Sequence, residues 1–255
     1  MGAHGGRNAE MRVRFPSSPL GQIAREREVM SIKTVVRFAL SFLYGPIVLF
    51  SSAGRLDWPQ AWAFIIILTL LGIVGLSIIH FKQPDLIAER KKFLKAEGIK
   101  KWDKILAPMV GIIGPLSIWI IAGLDERFDW SQRLPLAAEI AAFVLTAGGY
   151  AMAVWAMSVN KFFSSVVRIQ KERGHTVVSA GPYKFVRHPG YAGAIIAHIS
   201  TAVLLGSVWA LIPAFVVTGL LVTRTILEER TLKAELAGYS DYARKIRYRL
   251  IPFLW

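Results

Sequence analysis

Three stretches of this chain combine residue types that can do chemistry. The first is Arg187, His188, Pro189, Gly190 and Tyr191, directly ahead of a long apolar run. Pro189 disfavours helix at His188 and suits the first turn of the helix that follows. His188 is therefore expected at or near an N-cap, with Tyr191 on the first turn. Backbone donors at such a start, with Arg187 beside them, suit a carboxylate or a ribose hydroxyl. A plain capped turn, with Arg187 on lipid phosphate, is the alternative.

The second stretch runs from Thr223 to Leu232. Arg224 and Glu228 are four residues apart and share a helix face. They either form an ordinary salt bridge or divide a bipolar ligand, Arg224 forking onto a carboxylate while Glu228 accepts from hydroxyls or an ammonium. Burial near a membrane favours the second reading, because ionisable groups there are costly. Glu229 points a quarter turn away, towards solvent or Arg230. The third stretch, His175, Thr176, Val177 and Val178, offers extended main-chain groups to an adenine edge and valines to its ring; alone, His175 reads equally as a surface histidine. His80 and His198 read as packing or interfacial residues. The five histidines lack a ligand spacing, so no metal site is expected. Glu139 receives no role, and Trp58, Trp102, Trp130 and Trp255 read as interface anchors.

The elements that must position these residues are apolar. Of the 255 residues, 54% are hydrophobic, and mean hydropathy is +0.44, which indicates a membrane protein. Runs at Phe38 to Ala53, Ala61 to Ile79, Ile105 to Leu124 and Pro135 to Met157 are each close to the ~20 residues that cross a bilayer core. The last apolar region, Tyr191 to Leu227, is broken by Gly206, Ser207 and Pro213 and reads as a tight helical hairpin. The expected fold is thus all-α, with about six membrane helices. The net charge of +14 is judged by its placement. Of 31 Lys and Arg, only Arg55, Arg127 and Arg133 avoid the N-terminus, the second and fourth loops and the C-terminus. This positive-inside alternation puts both termini in the cytoplasm and argues against nucleic acid as a partner, leaving membrane lipid. There is no cysteine, which excludes thiolate metal sites and a cysteine nucleophile.

Three regions are expected. Residues 1–30 read as a disordered tail, with Met30 a second candidate start; residues 31–158 read as a four-span scaffold. Within the scaffold, Lys91 to Lys104 reads as an interfacial amphipathic helix. Residues 159–255 hold the chemistry, and their long loop, with β-branched residues in alternation, is expected to be ordered and extended over a pocket.

Taken together, "HTVVSAGPYKFVRHPGYAG" and "EERTLKAELAGYSDYARKIRYRLIPFLW" resemble the isoprenylcysteine carboxyl methyltransferase family and its phospholipid methyltransferase relatives. The resemblance implies an S-adenosylmethionine site at the cytoplasmic membrane face, closed by the long loop and the C-terminal segment. It implies cofactor contacts from His175, Thr176, Val177, Val178, Tyr183, His188, Pro189, Gly190, Tyr191 and Glu228. Arg224 would address the substrate's polar end, making Arg224 and Glu228 the candidate catalytic pair. Where the family can have a glutamine ahead of its His-Thr, this chain has Arg168, with Gln170 two residues later. The acceptor implied is a prenylcysteine-type carboxylate or another lipophilic or small molecule. A phospholipid amine, a small thiol and a reductase-like nicotinamide site remain alternatives.

Overall fold

A computed structural model describes residues 32–255, with side chains from Leu43 onward. The expected tail, residues 1–30, lies outside the described residues. The chain divides between Ser41 and Phe42, and the packing that follows is that of Phe42–Trp255.

Helix α1 covers Ile32–Ala53, α2 Pro59–Lys82, α3 Pro84–Lys92, α4 Asp103–Phe128 and α5 Leu136–Val159. Helix α6 covers Pro189–Leu204, α7 Leu211–Glu235 and α8 Tyr239–Lys245. Among the described residues there is no strand. Helices α2, α4, α5 and α7 are long and apolar enough to cross a membrane, while Leu43–Ala53 and α6 are shorter apolar helices. Prolines 59, 84 and 189 open their helices at a position where the missing N–H costs nothing. Pro108, inside α4, withholds a donor from the ladder, and the next turn, Met109–Ile113, widens to a π-helix.

The outward faces carry large apolar side chains, among them Ile66 and Leu70 on α2, Val144 on α5 and Phe215 on α7. That is the surface of a protein whose surrounding solvent is hydrocarbon. The inward faces approach closely through small residues. A Cβ on Gly149 of α5 would lie 2.6 Å from the Gly193 carbonyl oxygen and 2.7 Å from the Ala197 nitrogen of α6. One turn away, Thr146 donates to Ser200 at 2.9 Å, a buried hydroxyl pair joining the same two helices. The turn between α6 and α7 is fixed by Asp125 at the end of α4. This carboxylate accepts from Ser207 and from the Ser131 amide and hydroxyl at 2.7 and 2.6 Å.

Several expectations are corrected here. The chain does break at Gly206, where φ is +76°, but Pro213 sits in the first turn of α7 rather than in the break. Lys91 to Lys104 is not one amphipathic helix. Helix α3 ends at Lys92, a short 3-10 turn follows over Phe93–Lys95, and α4 starts at Asp103. Trp58 is no interface anchor: it is 1% exposed and packs in the core with Phe64. The long segment between α5 and α6 forms no strand and contains 3-10 turns at Lys171–Arg173 and Gly181–Lys184.

Candidate functional site

At one end of the bundle the segment between α5 and α6 folds over a cavity of about 260 Å³. Asn160 starts the segment by accepting the Phe162 amide at 2.9 Å and reaching Tyr183 Oη at 3.0 Å. Arg168 secures it from outside: its guanidinium forks onto Glu89 of α3 with two 2.8 Å hydrogen bonds and takes Glu172 at 2.5 Å. That pairing holds Glu89 below the usual carboxylate range. Gln170 is buried, gives its amide to the Phe162 carbonyl at 2.8 Å, and accepts from Arg173. Both residues border the cavity, yet their polar groups are spent on the protein.

The second anchor is Asp103, at the first position of α4 and wholly buried. Its carboxylate accepts the Val167 amide at 2.5 Å and, in a fork, Arg224 Nε at 2.7 Å and one Arg224 terminal nitrogen at 3.0 Å. The same terminal nitrogen donates to the Ser165 carbonyl at 3.0 Å. Arg224 and Glu228 therefore do not bridge each other. Arg224 lies over the Tyr191 ring, 5.3 Å from its centroid, and Tyr191 Oη donates to Glu228 at 2.5 Å. Asp103, Arg224, Tyr191 and Glu228 thus form one chain of contacts from the scaffold to the last long helix.

The start of α6 is held from the C-terminal side. The Arg187 and His188 amides donate to the Tyr248 and Arg249 carbonyls, each at 2.9 Å, so these two are spent on the C-terminal segment. Arg187 pairs with Glu229, which also binds Arg249. Glu229, assigned to solvent from sequence, is the buried centre of this triad at 2% exposure. The His188 ring stacks parallel to Tyr191 at 5.8 Å and stands 3.4 Å from Tyr239 Oη. Tyr242 donates to the Tyr183 carbonyl at 2.8 Å. Burial pushes the pKa of His188 down and those of Tyr183, Tyr239 and Tyr242 up. Burial, and then Arg173 and Arg168, bring His175 down to about 4. Its ring stacks obliquely on Phe162 at 4.4 Å, and its Nδ1 accepts the Gln170 amide at 3.3 Å, leaving the ring proton on Nε2. Both imidazoles are neutral at pH 7.

Of the residues singled out in sequence, His175, Thr176, Val177, Val178, Tyr183, His188, Gly190, Tyr191, Arg224 and Glu228 all border the cavity. Pro189 does not; it is buried at the first position of α6 and sets where the helix begins. Val177 and Val178 pack against the cluster of Tyr183, Leu236 and Tyr239, and the main-chain groups of Thr176, Val177 and Val178 make no backbone hydrogen bond. Gly190 is required by a close approach: a Cβ there would meet the Phe163 ring at 2.7 Å. Sequence reasoning missed Arg90, Asp103, Phe163 and Glu229. The available signal was weak: Glu89 and Asp103 are two of four acidic residues, with Asp85 and Glu97, inside a strongly basic stretch. No cluster of metal-ligating side chains is present among the described residues.

Comparison with known proteins covers part of the region that builds this site. Residues 140–234 match the isoprenylcysteine carboxyl methyltransferase family. The chain is 29% identical over 100 residues to a probable protein-S-isoprenylcysteine O-methyltransferase of Oryza sativa subsp. indica, covering 38% of this chain and 52% of that protein. It is 30% identical over 92 residues to protein-S-isoprenylcysteine O-methyltransferase B of Arabidopsis thaliana, covering 35% and 47%. It is 29% identical over 193 residues to the Saccharomyces cerevisiae protein-S-isoprenylcysteine O-methyltransferase, covering 72% and 79%. The chain spans about half the length of the plant relatives it matches.

Proposed function

We propose, from the match of residues 140–234 to the isoprenylcysteine carboxyl methyltransferase family, that the protein is an integral membrane methyltransferase. It uses S-adenosylmethionine to esterify the carboxylate of an isoprenylcysteine-like, lipophilic acceptor. The observation that carries this reading is Glu228. It is the one acidic side chain bordering the cavity among the described residues; it has no cationic partner within salt-bridge distance and is held by Tyr191.

The residues present suit the cofactor chemically. Glu228 accepts from hydroxyls or an ammonium. The unspent main-chain groups of Thr176 to Val178, with the valines and the nearby neutral His175, suit an adenine. The aromatic ring of Tyr239, which borders the cavity, favours a sulfonium, and the neutral imidazole of His188 sets no positive charge against it. Gly190 keeps the wall low where Phe163 enters, Tyr183 closes the segment side, and Pro189 fixes the helix start that presents Tyr191. When bound, the cofactor supplies an electrophilic methyl group, and the carbon–sulfur electron pair stays with sulfur. A carboxylate acceptor is already nucleophilic, so the surrounding residues need only orient and desolvate it. Arg224, its charge balanced by Asp103, borders the cavity and shapes the wall against which the acceptor's polar end is seated. An amine acceptor would need a proton acceptor, for which Glu228 or His188 would have to be diverted. The phospholipid, thiol and reductase alternatives receive no support from the relatives.

In the membrane we place α1, α2, α4 and α5 as spans and α6 with α7 as a helical hairpin, with both termini and the cavity on the cytoplasmic side. Residues 159–255 then form the methyltransferase region on a scaffold of residues 31–158. The test is transfer of a radiolabelled methyl group by the purified protein to S-farnesylcysteine, to phosphatidylethanolamine and to a small thiol. Base-labile product on the farnesylcysteine carboxyl is expected; label on either of the others instead contradicts the acceptor assignment.

A further inference from the structure

Four arginines border the cavity: Arg90, Arg168, Arg187 and Arg224. Three of them are neutralised inside the protein, Arg168 by Glu89 and Glu172, Arg187 by Glu229 and Arg224 by Asp103. Arg90, on the last turn of α3, makes no ion pair among the described residues. Its one hydrogen bond goes from a terminal nitrogen to the Phe163 carbonyl at 3.3 Å, and its guanidinium lies over the Phe163 ring, 6.0 Å from the centroid. A guanidinium carries five N–H donors, so most of the fork is left for something other than the protein. We infer that Arg90 is a specificity-determining residue that holds the anionic end of the methyl acceptor, a carboxylate. The inference rests on the methyltransferase reading above and adds the residue that selects the acceptor.

The argument is one of charge balance. A half-buried cation is tolerated when an opposite charge compensates it. Burial, with Arg224 adding repulsion, already pushes the Arg90 pKa down. The carboxylate at the Arg224 wall, Asp103, is committed to Arg224 and to the Val167 amide. An incoming carboxylate supplies the missing charge and matches the planar fork. The seat is also rigid. Phe163 gives Arg90 both a carbonyl and a ring face, and that ring rests where Gly190 has no side chain. The acceptor-reading cation is thereby coupled to the start of α6, beside His188 and Tyr191. A neutral or cationic acceptor would leave Arg90 uncompensated, which disfavours amines at this site.

The experiment uses the full chain purified in detergent, wild type beside Arg90→Gln and Arg90→Lys. It measures binding of N-acetyl-S-farnesylcysteine, of its neutral carboxamide, of phosphatidate and of S-adenosylhomocysteine. The wild type is expected to prefer carboxylate over carboxamide ~10-fold or more, the scale of one charge-assisted hydrogen bond. Arg90→Gln should bring that ratio close to one and Arg90→Lys should keep part of it, with S-adenosylhomocysteine affinity within about twofold of wild type. A carboxylate preference that survives in Arg90→Gln while S-adenosylhomocysteine still binds overturns the inference alone. Phosphatidate displacing the carboxylate more strongly than the carboxylate displaces it overturns the choice of anion. Failure of the wild type to bind S-adenosylhomocysteine overturns the methyltransferase reading, and the inference with it.

Discussion

Asp103→Ala is expected to destabilise the detergent-purified protein by about 3–5 kcal/mol, the cost of leaving one member of a buried ion pair without its partner. Asp103 is 0% exposed and Arg224 6%, so water cannot replace the lost charge. The same carboxylate also holds the Val167 amide. Its loss therefore frees the covering segment and strands the guanidinium that lies over Tyr191. Thermal unfolding of the variant, followed by tryptophan fluorescence, should show a large fall in midpoint. The double variant Asp103→Leu with Arg224→Met should recover much of that fall, because removing both charges removes the uncompensated one. A single variant as stable as wild type would show that the pair does not anchor the segment.

Gly193→Val should disrupt the bundle itself. A Cβ on Gly193 would meet Met152 Cβ and the Ala153 nitrogen at 3.1 Å and would press on the Gly149 carbonyl. Two of those three atoms are backbone, which cannot swing aside as a side chain can. Overpacking in cores costs typically ~1–3 kcal/mol. Here the cost is expected at or above the top of that range, with loss of monodisperse protein on size exclusion. Gly148 supplies the control: a Cβ there meets nothing within 4 Å, so Gly148→Ala should behave as wild type. Equal behaviour of Gly193→Val and Gly148→Ala would contradict the close α5–α6 packing.

Much of the fold was legible because apolar length is a local property: the runs containing α2, α4, α5 and α7 stand out in the sequence alone. The short arm α6 was readable from the proline that opens it and the Gly206 that follows its end. In the site, His188, Tyr191, Arg224 and Glu228 drew notice because their spacing along one stretch carries meaning. Asp103 and Arg90 did not, because their meaning lies in partners far along the chain: Asp103 and Arg224 are 121 residues apart, Arg90 and Phe163 73. In a lysine-rich stretch, a lone aspartate reads as a solvated charge. The part that α3 and the start of α4 play was hidden for the same reason: within the region read as scaffold, Arg90 borders the cavity and Asp103 anchors its cover. Glu229 was misread because helical phase places it a quarter turn from Glu228; only the returning C-terminal segment, with Arg249, turns that face into an interior.

The most direct test is calorimetric titration of S-adenosylmethionine and S-adenosylhomocysteine into the purified protein, wild type beside Glu228→Ala and Tyr191→Ala. Saturable one-to-one binding to the wild type is expected, weakened at least ~10-fold in each variant by loss of a hydrogen bond to a charged group or of the group that orients it. Absence of binding to folded wild type, or equal binding to all three proteins, would contradict a cofactor site built around Tyr191 and Glu228.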